Sequence, residues 1–189
     1  MTEHPPMTVL AAGLDEIRLA PADGGRVELI VRRPAVEERE VLLEGELDTN
    51  VGLVGDCWRT RGSSSTPDGS AHPDAQITVM NARVTALVAR TEDRWPLCGD
   101  QLYVDLDLSE ANLPPGTRLE IGTAVIEITA KPHTGCGKFI QRFGIDAQKF
   151  VNSAEGRELN LRGRNAKVIQ GGTVRTGDQV TKLGLVASS

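Results

Sequence analysis

Aromatic residues are scarce in this 189-residue chain: three Phe, two Trp and one Tyr make up 3% of it. With so few rings, and no interleaving of aromatic with basic side chains, the chain lacks the stacking platform that holds single-stranded nucleic acid. Lysine and arginine are scattered singly and the formal net charge is -5, so a phosphate-backbone footprint is missing too. No run approaches the roughly 18 apolar residues that a membrane span requires. Nucleic acid and membrane are therefore set aside as partners, and a small-molecule substrate is expected. Histidine and cysteine are also few, three of each. Cys57, Cys98 and Cys136 lie 41 and 38 residues apart, unlike the paired spacing of zinc ribbons or the runs of iron-sulfur sites. A metal held wholly by the protein is not expected; any metal needs most of its ligands from elsewhere. The opening Met1-Thr2-Glu3-His4-Pro5-Pro6 has neither the basic start nor the apolar stretch of a secretion signal, so a cytoplasmic protein with free thiols is expected.

The remaining composition, 39% hydrophobic and 25% charged, belongs to soluble globular proteins, and the length suits one domain over residues 1–189. Short alternating segments dominate. Val27-Glu28-Leu29-Ile30-Val31 reads as a strand that Arg32-Arg33-Pro34 stops, while 37–47 fits either a strand or a short helix. Residues 76–80 and 83–88 read as strands broken near Asn81, and 103–108 alternates. Residues 118–121 and 124–130 flank Gly122-Thr123, a two-residue turn that matches strand twist. Segments 166–169 and 179–183 bracket Gly171-Gly172 and Gly177-Asp178 and close the sheet. This pattern predicts a mainly β fold, a barrel, rather than alternating βαβ units. The exception is 138–151, where Phe139, Phe143, Ala147, Phe150 and Val151 recur at helical spacing, with Gly144 splitting the segment and Asp146 capping its second half. Residues 61–74, rich in Ser, Gly and Pro, read as an exposed loop.

The most informative residue is Cys136, in Lys131-Pro132-His133-Thr134-Gly135-Cys136-Gly137-Lys138. It stands between a strand and a helix, with glycines on both sides that leave the thiol uncrowded. Lys138, His133 and the first-turn amides of the helix are each expected to favour the thiolate. A nucleophile or a soft metal ligand results; the bland alternative is a buried core thiol. Asp56 and Asp100 each follow a glycine at a turn, which suits loop-shaping carboxylates and also a general acid.

The chain resembles the MOSC domain, the family named for the C-terminal domain of molybdenum cofactor sulfurases. The resemblance covers most of the chain. It rests on Gly52-Leu53-Val54-Gly55-Asp56 ahead of Trp58-Arg59, on 76–81, on Gly99-Asp100-Gln101-Leu102, on 119–122 leading into 126–129, on the Cys136 turn, and on Gly171-Gly172-Thr173-Val174 with Gly177-Asp178. It implies a MOSC-type β-barrel with a few short helices after the Cys136 turn. It also implies binding of a molybdenum cofactor (molybdopterin), with Cys136 as ligand to molybdenum, in an oxidoreductase acting on small N-oxygenated substrates. Other members are proposed to carry sulfur as a cysteine persulfide, which implies a pyridoxal-phosphate cysteine desulfurase as partner in place of a reductase. A non-catalytic binding module is the third alternative. Two departures from the family pattern are Asp100-Gln101 in place of Glu-Asn after Gly99, and Cys57 after Asp56 in place of a basic residue.

Candidate cofactor-binding residues follow. Arg59, Lys138, Arg162 and Arg164 are cations suited to the phosphate that ends a pterin cofactor. Asn81 suits a ring edge, and Asp100, His133 and Thr134 complete the set. Cys57 reads as a buried spectator. The sequence leaves the oligomeric state open.

Overall fold

The computed structural model describes residues 4–183. Its strands are β1 (Gly25–Arg32), β2 (Glu40–Leu42), β3 (Glu44–Asp48), β4 (Gly52–Leu53), β5 (Ile77–Asn81), β6 (Leu102–Asp105), β7 (Arg118–Ile121), β8 (Ala124–Ile128), β9 (Arg164–Gln170), β10 (Gly172–Arg175) and β11 (Gln179–Leu183). The helices are α1 (Met7–Ala12), α2 (Leu14–Arg18), α3 (Trp58–Arg61), α4 (Ala82–Ala89), α5 (Gly137–Asn152) and α6 (Ala154–Glu158). Seven strands run in the order β11-β7-β8-β9-β5-β6-β1, and β1 pairs back onto β11 to close a barrel. Among these pairs only β5 with β6 is parallel. Strand β2 extends the sheet beyond β1, and β10-β3-β4 form a small separate sheet.

Two apolar cores hold this arrangement. The barrel interior is filled by Val27, Ile30, Ile77, Val79, Leu102, Ile126 and their neighbours. A second core lies between the barrel and the helices, where Met80 and Tyr103 meet Val84, Val88, Phe139, Phe143 and Phe150. Strand β5, expected from 76–80, is buried on both faces, its polar Thr78 included. Fully burying each such aliphatic or Phe side chain stabilises the fold by about 1.5–3 kcal/mol. The β7–β8 hairpin turns at Gly122, whose φ is +59°, and a Cβ there would stand 2.2 Å from the Thr173 carbonyl oxygen. Only glycine fits that turn.

Several local expectations are corrected. Residues 83–88 are helix α4 rather than a strand: the Asn81 side chain accepts hydrogen bonds from the amides of Arg83 (2.8 Å) and Val84 (3.2 Å), and this cap starts a helix that buries Val84 and Val88 on one face. Tertiary burial outweighs the β-preference of the branched residues. The ambiguous 37–47 stretch resolves into strands β2 and β3 after a turn at Glu37. The alternation at 103–108 gives only β6, and past Gly171 a strand not expected from the sequence, β10, pairs with β3. Ala130 lies beyond β8 and is exposed.

Helix α5 breaks at Gly144, where φ is +89° and ψ +167°. A straight 16-residue helix would be about 24 Å long, yet Asn152 at its end hydrogen-bonds Gly135 just before its start. The two halves therefore double back on each other. Asp146 does not cap the second half; its carboxylate accepts a 3.1 Å bond from the Met7 amide at the start of α1.

Candidate functional site

The Cys136 turn is held at both ends. Upstream, the Asn165 side-chain amide donates to the carbonyls of Lys131 (3.1 Å) and Pro132 (3.2 Å). Downstream, Asn152 grips Gly135 twice, accepting from its amide at 2.9 Å and donating to its carbonyl at 3.0 Å. A Cβ on Gly135 would lie 3.0 Å from Val151 Cγ2, so this glycine serves close packing, whereas a Cβ on Gly137 would meet nothing within 4 Å.

Cys136 is exposed and is the N-cap residue of α5. Partial burial opposes its ionisation. The amides of Phe139 and Lys138 and the charge of Arg162 outweigh that, and the thiol pKa lies below its ordinary value. The sulfur makes no capping hydrogen bond, so the amides act through their dipoles. The Lys138 ammonium is not the source of this activation, because it pairs with Glu37. Nor is His133 a cationic neighbour: burial and the like charges of Arg162 and Arg33 hold its pKa well below the usual imidazole value and keep it neutral. Cys98, by contrast, is buried at 3% exposure, and burial pushes its thiol pKa far up.

The thiol opens into a cavity of about 340 Å³, at the lower end of the roughly 300–1,000 Å³ usual for small-molecule sites. Five arginines and two lysines line it against one carboxylate, Glu37. Glu37 sits at a left-handed φ of 69° and pairs with both Lys138 and Arg142, which hold its carboxyl down to about 2. Two further cations are committed to buried ion pairs. Arg33 makes a two-point contact with Asp56, Nε to Oδ2 at 2.8 Å and Nη2 to Oδ1 at 2.9 Å. Arg162 binds Asp100 Oδ2 at 2.7 Å and stacks its guanidinium 5.1 Å from the centre of the Phe139 ring. These two arginines also donate to the backbone between them, Arg162 to the Cys98 carbonyl (3.0 Å) and Arg33 to that of Gly99 (2.9 Å).

Arg39 and Arg61 have no carboxylate partner among the described residues. Burial lowers the pKa of each, and the nearby positive charges, Arg142 and Arg33 on Arg39 and Arg33 on Arg61, lower it further. An acidic chain has thus gathered uncompensated positive charge around one thiol, and such a concave surface attracts anions.

The candidate residues divide. Asp100, His133, Thr134, Lys138 and Arg162 surround Cys136, with Asp100 fully buried behind the wall. Full burial raises the Asp100 carboxyl pKa while Arg162 opposes that shift. Arg164 points to a neighbouring cavity and pairs with Glu110. Arg59 is exposed and lines a separate hollow with Trp58 and Ser70, and Asn81 is used up by the α4 cap and by a 2.8 Å bond to the Leu106 carbonyl; neither reaches the Cys136 cavity. Asp56 is a structural partner of Arg33 and of the Trp58 amide (2.9 Å). Gln101 ties the same region to β5, accepting from the Thr78 amide at 2.8 Å. Cys57, though buried, also lines the cavity. Sequence reasoning missed Arg33, Arg39, Arg61, Arg142, Asn152 and Asn165, which come from separate segments with no local motif to mark them.

No helix among the described residues is long and apolar enough to cross a membrane. No curated protein is significantly similar to the chain. Among solved structures, YuaD from Bacillus subtilis superposes with a TM-score of 0.62 at 16% identity, over 84% of this chain and 94% of that one. YiiM from Escherichia coli gives 0.55 at 22% identity, over 86% and 72%. At these identities the likeness speaks for the fold. The MOSC domain profile matches residues 66–181, more than half of the chain and the stretch that carries the Cys136 turn, and on that match the chain belongs to the MOSC domain family.

Proposed function

We propose that the protein binds a molybdenum–pterin cofactor in the Cys136 cavity, with the Cys136 thiolate as a ligand to molybdenum, and acts as an oxidoreductase on small N-oxygenated substrates. The observation that carries this reading is the pairing of an exposed, low-pKa thiol with a wall of cations that exceeds its own carboxylates. Thiolate suits a soft metal, and the cations suit an anionic cofactor. Among the described residues no group of three or more His, Cys, Asp and Glu is placed to hold a metal ion, so a pterin dithiolene would have to supply other ligands. When bound, such a cofactor supplies two-electron redox chemistry. The protein's own part is binding and proton handling. Arg39, Arg61 and Lys131 would take the phosphate, and Asn152 and Asn165 would keep the thiol in place. Neutral His133 faces Asp100 through one ring nitrogen, leaving the other to give or take a proton as an N–O bond is reduced. Electrons would come from a separate reductase.

Elemental and pterin analysis of protein purified from a cofactor-competent host tests this. Molybdenum and pterin in the native chain, both lost in Cys136→Ser, are expected; metal-free native protein would overturn it. The exposure of the thiol favours a second reading, a sulfur carrier loaded by a pyridoxal-phosphate desulfurase. In that case mass spectrometry after incubation with such an enzyme finds one added sulfur on Cys136.

A further inference from the structure

A second cavity, of about 480 Å³, shares residues 131–134 and Arg162 with the Cys136 cavity, but the cysteine does not line it. Its far side is built from the α5–α6 junction and the start of β9, which contribute Arg157 and Arg164. Among the described residues Glu110 is the only carboxylate there. Arg164 is the telling residue. Its side chain is 5% exposed, and among the described residues it makes a single side-chain hydrogen bond, from Nη1 to Glu110, while Nε and Nη2 have no protein partner and are not sealed from solvent. Arg157 makes no ion pair and no side-chain hydrogen bond among the described residues. Glu110 is itself 58% exposed, so it can swing out into water at little cost.

A nearly buried guanidinium with two nitrogens left to cavity water offers them to a ligand that can replace that water. A carboxylate or phosphate meets a guanidinium at two points and is the natural complement. A lone exposed arginine would carry no such implication, but here a buried and an exposed arginine converge on one concave space. We infer that this second cavity binds a small carboxylate- or phosphate-bearing molecule at Arg164 and Arg157, separately from whatever occupies the Cys136 cavity. The inference stands apart from the cofactor reading, since neither Arg157 nor Arg164 touches the thiol cavity.

Calorimetric titration of the full chain at low ionic strength, with inorganic pyrophosphate and separately with citrate, tests it and distinguishes the two anion classes. With at least one of the two, a binding event is expected that is distinct from any anion uptake by the Cys136 cavity. It should weaken about tenfold or more in Arg157→Glu, a surface change that reverses one of the cavity's charges. It should weaken also in Arg164→Gln and stay within about twofold of wild type in Arg61→Glu, which alters only the Cys136 cavity. Hydrogen exchange should slow over residues 155–164 on binding. Absence of binding with both anions, indifference to Arg157→Glu, or equal loss in Arg61→Glu would each overturn the inference. Because Arg157 is exposed, its variant keeps the test valid if Arg164→Gln fails to fold.

Discussion

His133 Nδ1 and Asp100 Oδ1 face each other at 3.5 Å, both buried and neither with a hydrogen-bond partner. The distance is too long for a bond, and a shift of a few tenths of an ångström would make one. The histidine stays neutral because burial and two guanidinium groups penalise its charged form more than one carboxylate rewards it.

That balance has a pH consequence. The folded-state pKa of His133 lies below its unfolded value of 6.5, so the unfolded chain binds more protons as pH falls through that range, and stability drops with it. Replacing His133 by Asn should flatten the fall in urea midpoint between about pH 7 and pH 5. An equal slope in the variant would assign the pH dependence elsewhere.

Arg162 and Asp100 form a pair buried to 8% and 0% side-chain exposure. Arg162→Met strands the carboxylate and should cost about 3–5 kcal/mol in urea unfolding, whereas adding Asp100→Leu to that variant should restore much of the loss. If the double variant is no more stable than the single, the pair is not the source of the cost.

Native protein should take up one alkyl group per chain from iodoacetamide, on Cys136, with Cys57 and Cys98 labelled only after unfolding. The rate should titrate below the ordinary thiol value of about 8.5, and Arg162→Met should move the midpoint upward by removing one of the charges that favour the thiolate. Peptide mass mapping checks the site and stopped-flow alkylation the midpoint.

The two glycines beside Cys136 should behave oppositely. Gly135→Ala pushes against Val151 and Asn152 and should cost about 1–3 kcal/mol. Gly137→Ala adds a methyl group to open space at the first turn of α5 and should stabilise by about 0.4–1 kcal/mol. Urea midpoints of the two variants decide the matter.

What could be read from the chain was local. The Gly122-Thr123 hairpin, strand β5, the Phe139-Phe143-Phe150 stripe and its break at Gly144 all depend on residues within one turn or one strand of each other. Helix α4 was hidden because Val84, Thr85 and Val88 are strand formers, and only the Asn81 cap with burial on one face decides for helix. The cavity was legible at Cys136 and its flanks, but its charge was not. Arg33, Arg39, Arg61 and Arg142 come from separate parts of the sequence and meet only through the closed barrel and the kinked α5. Of the expected sources of thiolate stabilisation the first-turn amides hold and the Lys138 ammonium does not, since no pattern along the chain reveals that Glu37 claims it.

The kink at Gly144 has one more effect. By returning Asn152 to Gly135 it ties residues 135–152 into a loop fastened at its own neck, with the cysteine just past the knot. The thiol's position then depends on the number of residues in that loop: inserting one residue into either arm would slide the fastening asparagine off its target, even though every group lining the cavity was left untouched.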